Sequence, residues 1–183
     1  SFKIEEVYDS IELIRHNEGH LIKLPKNNDE FADFYFLAGL FVGDGTHHSF
    51  VVGKKELAKR FTTICDRFNI STRINDKYKD GKNFQIDTTF TLLEILNSLF
   101  DYPKKQKSHN VHLSKMLLSS PSEYIAYFLR AYFDCDGTVE KSRRAITLTS
   151  VSPKMIKEVQ LVLPRFGCIG IVNEGDNTIN ISG

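Results

Sequence analysis

Two aspartates stand in matching surroundings half a chain apart. Phe36-Leu37-Ala38-Gly39-Leu40-Phe41-Val42-Gly43-Asp44-Gly45-Thr46 lines up with Phe128-Leu129-Arg130-Ala131-Tyr132-Phe133-Asp134-Cys135-Asp136-Gly137-Thr138 in a chain of 183 residues. Both copies read as helices ending at Asp-Gly. Small residues recur four apart on one face of each: Gly39 and Gly43 in the first, Ala131 and Cys135 in the second. Two such helices can meet backbone to backbone, closer than the usual ~8–10 Å. Paired about a pseudo-twofold axis, they bring Asp44 and Asp136 together at one end. Each carboxylate then lies at the negative end of a helix dipole and beside a like charge. A hard divalent cation relieves both conflicts, using carboxylate, carbonyl and water oxygens. Mg²⁺ held there, next to a basic sheet face, is equipment for metal-assisted phosphodiester hydrolysis. A lone Asp-Gly is only a helix-ending turn; two in matching contexts carry the expectation.

The elements that must position these aspartates follow from local pattern. After the first motif come a β-prone stretch (49–52), a helical stretch (54–68) and a hairpin (72–87). After the second come β-prone stretches (139–141 and 145–149), a helix (153–166) and a hairpin (169–181). Asp29 is the expected N-cap of the first motif helix, and Ser122, after Pro121, that of the second. Gly45 and Gly137 suit a left-handed helix-ending position. Pro153 suits a first helical turn and Gly167 a helix end. Asp80-Gly81 supplies the pair a type I′ turn prefers. Alternation puts Ile74, Tyr78, Phe84 and Ile86 on one sheet face, and Arg73, Asn75, Lys77, Lys79, Asn83, Gln85 and Asp87 on the other. In the second unit Ile169, Ile171, Ile179 and Ile181 oppose Thr178, Asn180 and Ser182. The first unit's polar face carries side chains that hydrogen-bond base edges and phosphates. The expected fold class is α+β, with two pseudo-twofold-related αββαββ units and antiparallel sheets. Only ten residues separate Gly45 from Glu56, too few for a full first hairpin, against fifteen between Gly137 and Pro153.

Composition sets the frame. With 41% hydrophobic and 26% charged residues, the chain has enough apolar material for a real core. Its length fits one domain, or two small ones fused. Disorder, collagen and a disulfide-stapled miniprotein are excluded. The longest apolar run, Phe34 to Val42, is about half of what a membrane helix needs. Cys65, Cys135 and Cys168 are widely spaced without a CxxC, which reads as reduced thiols in an intracellular protein. The start carries no secretory pattern. Since it begins at Ser1 rather than Met, a processed or excised piece is expected. Residues 1–30 hold four basic and seven acidic side chains, and residues 101–183 eleven and eight. A near-neutral total thus covers a weakly basic body behind an acidic leader, which permits an anionic partner. The leader's Ile4, Val7, Ile11 and Ile14 hint at a helix. His47 and His48, adjacent in a strand, point to opposite faces and do not suit one ion. His109 and His112, with no Cys or Glu nearby, do not suit zinc.

Leu37 to Gly45 resembles the LAGLIDADG motif of homing endonucleases, matching its opening Leu-Ala-Gly-Leu and closing Asp-Gly. Leu129 to Gly137 resembles a second copy, departing at Arg130, Ala131 and Cys135 while keeping Asp136-Gly137. The repeat pattern runs from about residue 29 to 183. The resemblance implies a double-repeat monomer: a leader (1–28), a first repeat (29–102), a linker (103–121) and a second repeat (122–183), with saddle-shaped sheets straddling double-stranded DNA. It implies Mg²⁺-dependent (or Mn²⁺-dependent) double-strand cleavage. Asp44 and Asp136 become the metal-binding catalytic residues, with the Gly43 and Cys135 carbonyls as further ligands. Arg73, Asn75, Lys77, Lys79, Asn83 and Gln85 become DNA contacts of the first sheet, and Lys141, Arg143, Arg144, Thr147 and Thr149 those of the second. The 102–109 stretch resembles the segment before the second motif in intein-inserted endonucleases, which carry a catalytic lysine before an Ile-Pro. Here Val111-His112-Leu113-Ser114 stands in that place. Lys107 is the nearest upstream substitute and Lys115 the nearest downstream. The chain ends before an equivalent lysine of the second repeat. Without a terminal His-Asn, self-splicing is not expected. A non-cleaving DNA- or RNA-binding relative, a maturase or regulator on the same scaffold, is the competing expectation.

Overall fold

A computed structural model describes residues 23, 25–46, 49–75, 83–103, 107–141 and 144–182. The first motif forms α1 (Asn28–Asp44), the second α6 (Ser122–Asp136). Between them lie β1 (Ser49–Val52), α2 (Lys55–Arg67), β2 (Thr72–Asn75), β3 (Phe84–Thr88), α3 (Phe90–Phe100), the single turn α4 (Lys107–Asn110) and α5 (Lys115–Ser119). After α6 come β4 (Gly137–Glu140), β5 (Ala145–Thr149), α7 (Pro153–Val162) with a 3₁₀ turn (Leu163–Phe166), β6 (Gly170–Asn173) and β7 (Thr178–Ser182). The fold is α+β, with one antiparallel sheet ordered β1-β3-β2 and another ordered β4-β5-β7-β6.

The α1–α6 pair is the largest contact between any two elements. Its closeness is dictated by absent side chains. A Cβ on Gly39 would stand 2.2 Å from the Phe128 carbonyl oxygen, and one on Gly43 2.4 Å from the Cys135 Cβ. The small-residue faces read from the sequence therefore meet as expected. Phe34, Phe36 and Phe41 lie in one continuous core with Phe50, Phe61, Phe128 and Tyr132. Cys65 fills part of that core, and all three cysteines are free. Among the described residues, no helix is long and apolar enough to cross a membrane.

Several local expectations are corrected. Gly45 (φ −76°, ψ 144°) and Gly137 (φ −84°, ψ 142°) are extended, not left-handed, because the chain passes directly into β structure. Glycine is still required there: a Cβ would come within 2.6 Å of the Phe41 carbonyl oxygen or 2.4 Å of the Phe133 one. Asn27, not Asp29, caps α1, its Oδ1 accepting from the Glu30 N–H at 3.0 Å. Pro121 precedes α6, and Ser122 is already helical. Pro153 opens α7, and Gly167 takes φ +71° after the 3₁₀ turn, as expected.

The first unit is not a complete αββαββ unit among the described residues. It has three strands, and an isolated Gly45–Phe50 bridge stands where the second unit places the β4–β5 hairpin. In the second sheet the register pairs Gly170 with Ile181 and Val172 with Ile179. Ile169 and Ile171 are therefore exposed, not core. Gly170 faces inward because the Ile179 Cδ1 lies 2.4 Å from where its Cβ would stand. The leader, His47-His48 and the Asp80-Gly81 turn lie outside the described residues.

Candidate active site

The two aspartates close their helices side by side. Burial lifts the Asp136 carboxyl first, the Asp44 charge adds to the lift, and Lys107 opposes it; the result is about 6. Asp44 is also raised by burial, but a hydrogen bond with the Cys135 thiol and the charge of Lys107 hold it back. Like charge and desolvation act together here, as the helix geometry requires.

Lys107, the upstream substitute, enters this site; its Nζ donates to the carbonyls of Phe41 (2.9 Å), Gly43 (3.0 Å) and Gly45 (2.6 Å). The C-terminal carbonyls of α1 have no partners within the helix, and an ammonium satisfies them while offsetting the dipole. Burial pulls the Lys107 amine down to about 8, against the restoring charges of Asp136 and Asp44. Lys115 starts α5, is exposed and makes no such contact. Among the described residues, no lysine donates to the matching carbonyls of α6. Tyr102 seals the α1 end by donating from its hydroxyl to the Phe41 carbonyl at 2.9 Å. A cavity of about 210 Å³, lined by Gly43, Lys107, Tyr132, Asp136, Thr149 and Ser150, opens beside the cluster.

The donor set suits a hard cation. Two crowded carboxylates and helix-end carbonyls are all oxygen, and the buried carboxyl at about 6 marks a place where added positive charge is favourable. The Gly43 carbonyl is engaged by Lys107. The histidines play no part: His112 pairs with Asp101 at 3.3 Å. No group of three or more His, Cys, Asp or Glu suited to an ion occurs among the described residues.

The open sheet faces carry the other expected residues unevenly. Arg73 lies opposite Asp87 and Asn75 opposite Gln85 on the polar face of the first sheet, with exposed Asn83 just ahead of β3. The Gln85 Nε2 donates to Asp87 at 2.9 Å. Thr147 and Thr149 share the open face of β5, while Lys141 and Arg144 are exposed where β4 turns into β5. Lys77, Lys79 and Arg143 lie outside the described residues. Sequence reasoning missed the Cys135 thiol, which it treated only as a carbonyl donor, and Tyr102. The alignment of Cys135 with Gly43 was the available signal for the first. Nothing local signals the second, whose partner is 61 residues away.

Fold and motif together define a class. The chain has the LAGLIDADG fold, and residues 123–180 match the family model of a LAGLIDADG-like domain. Among solved structures it is similar to the homing endonuclease I-DmoI in complex with DNA and Ca, at 13% identity and a TM-score of 0.63, covering 85% of each chain. It is similar to the N-terminal LAGLIDADG domain of DUF199/WhiA at 12% identity and a TM-score of 0.56, covering 96% of this chain and 83% of that one. Among curated proteins it is 34% identical over 182 residues to part of elongation factor 2 of Methanopyrus kandleri, covering 98% of this chain and 14% of that protein. It is 30% identical to part of a probable translation initiation factor IF-2 of Thermococcus kodakarensis (90% and 14%), and 29% identical to part of a replication factor C small subunit of Methanocaldococcus jannaschii (84% and 8%). The chain thus spans a seventh or less of these relatives.

Proposed function

We propose that this chain is a site-specific double-strand DNA endonuclease that hydrolyses phosphodiester bonds with a divalent metal, Mg²⁺ or Mn²⁺. The observation that carries this reading is the convergence of Asp44, Asp136 and Lys107 at the ends of two helices in backbone contact. Asp44 and Asp136 would hold the ion, together with carbonyls such as those of Gly43 and Cys135; when bound it supplies Lewis-acid stabilisation and an activated water. Lys107 fixes the end of α1 and places a positive charge beside the phosphate position. Carboxylates clustered near phosphate serve no purpose in binding alone, since they repel it. Both open sheet faces would lie along double-stranded DNA, with Arg73, Asn75, Asn83 and Gln85 on one half-site and Lys141, Arg144, Thr147 and Thr149 on the other. I-DmoI bound to DNA with Ca, Mg and Mn supports that placement and the use of a divalent ion.

Residues 29–102 and 122–183 are assigned to the two repeats, joined by 103–121, and the chain acts as an intracellular monomer. Matching segments sit inside proteins as different as an elongation factor and a replication factor subunit. A self-contained insert of the intein-associated kind accounts for this better than a shared host function does. A non-cleaving nucleic-acid binder is the second reading. It is favoured by the incomplete first sheet and by the likeness to the WhiA domain. The deciding experiment is incubation of the chain with a randomised DNA-site library, with Mg²⁺ or with EDTA. Selective double-strand cutting only with Mg²⁺ supports the endonuclease; tight, selective binding without cutting in either condition overturns it for the binder.

A further inference from the structure

The open faces of the two sheets differ in chemistry. On the first, Arg73, Asn75 and Gln85 offer forked or amide donors suited to purine edges. On the second, the register sets Thr138, Thr147, Asn180 and Ile171 in one row across all four strands. No strand residue on that face is Lys or Arg. The polar members of the row are already engaged with one another: the Thr147 hydroxyl lies 2.7 Å from the Asn180 Oδ1 and 3.2 Å from the Glu140 Oε1. Ile171, in contrast, is 68% exposed. Its outward direction is fixed, because Gly170 and Val172 pair with Ile181 and Ile179 on the packed face.

A protruding β-branched side chain flanked by saturated polar groups offers a partner methyl surface and little else. In the major groove thymine alone among the four bases presents a methyl group, read by apolar contact. Resting on the DNA reading above, we infer that Ile171 is a specificity-determining residue that contacts the C5-methyl of one thymine in the half-site facing the second sheet. The two half-sites are then read differently, the first by hydrogen bonds to purine edges and the second by methyl contact.

The test uses the full chain and the target obtained from the library, with binding measured in Ca²⁺ without Mg²⁺. Each thymine is replaced in turn by uracil, which removes only the methyl group, for the wild type and for Ile171→Ala. At one thymine of the second half-site, uracil weakens wild-type binding about fourfold, the scale of one buried methyl group. The same replacement leaves Ile171→Ala binding unchanged, so the two changes are coupled in a double-mutant cycle. Equal losses in both proteins, or no uracil effect in that half, overturn the inference while sparing the DNA reading. A wild type without sequence-selective DNA binding overturns the DNA reading itself. Ile171 is solvent-facing, so unchanged thermal unfolding of the variant confirms that lost binding is not lost folding.

Discussion

The first motif helix is buried continuously from Phe31 to Val42, whereas the second buries only Tyr124, Ile125, Phe128, Leu129, Ala131 and Tyr132. The first carries an incomplete three-stranded sheet and the second a four-stranded one. The terminal carbonyls of the first accept Lys107, and those of the second accept no lysine among the described residues. Yet Gly39 against Phe128 and Ala131, and Gly43 against Cys135, are matched atom to atom. Two copies of one unit have kept their likeness where they touch and lost it elsewhere. Contact at backbone distance tolerates no added atom, while a sheet edge or a helix's outer face tolerates many.

The comparison breaks most severely at the helix seam. Gly39→Ala forces a Cβ into the Phe128 carbonyl, and backbone cannot yield as a side-chain tip can. It should cost about 3 kcal/mol or more in urea unfolding, whereas Ala131→Gly on the facing helix should cost about 1 kcal/mol. A smaller effect at Gly39 than at Ala131 would refute the seam.

Next comes the asymmetric cation. Lys107→Met leaves three carbonyls without their ammonium donor and should lower stability by about 1–3 kcal/mol. Cleavage should fall by about 10²-fold or more, the scale of one lost electrostatic contact. Lys115→Met should leave both unchanged. Denaturation curves and single-turnover cleavage of the two variants check this.

A smaller effect separates the aspartates. Folding raises the Asp136 carboxyl from 3.8 to about 6, so its ionisation opposes folding. The stability attributable to this group is greatest below pH 4 and falls as pH rises through 6. Without metal, Asp136→Asn should therefore stabilise the protein at pH 7.5 by about 1–2 kcal/mol. Asp44→Asn should stabilise it less, since Cys135 and Lys107 support the Asp44 carboxylate. Thermal unfolding in EDTA at pH 5 and 7.5 shows the gap, which closes at pH 5. The smallest effect concerns the sheets: Arg73→Ala should reduce the salt slope of DNA binding by about 1, and Thr147→Ala should leave it unchanged.

What the sequence disclosed follows the same division. The repeat, the small-residue faces, the meeting of Asp44 with Asp136 and the shortened first hairpin were all legible, because each depends on residue type at fixed spacing. The facing of Ile169 and Ile171 was not. In Cys168-Ile169-Gly170-Ile171-Val172 both parities hold apolar residues, and the inward one was chosen by Gly170 and Val172 packing on Ile179. The extended geometry of Gly45 and Gly137 depended on strands that follow at once. Choosing Lys107 over Lys115 required the fold, since its partners are backbone carbonyls 62 to 66 residues away, which carry no side-chain signature.

The central claim is that both halves contribute one carboxylate each to a shared metal-dependent centre. Its most direct test is strand-resolved cleavage of the selected target in Mg²⁺ by the wild type, Asp44→Asn and Asp136→Asn. The account predicts that the wild type cuts both strands and that each variant loses double-strand cutting by about 10³-fold or more, while both still bind the site. Retention of full double-strand cutting by either variant would contradict it.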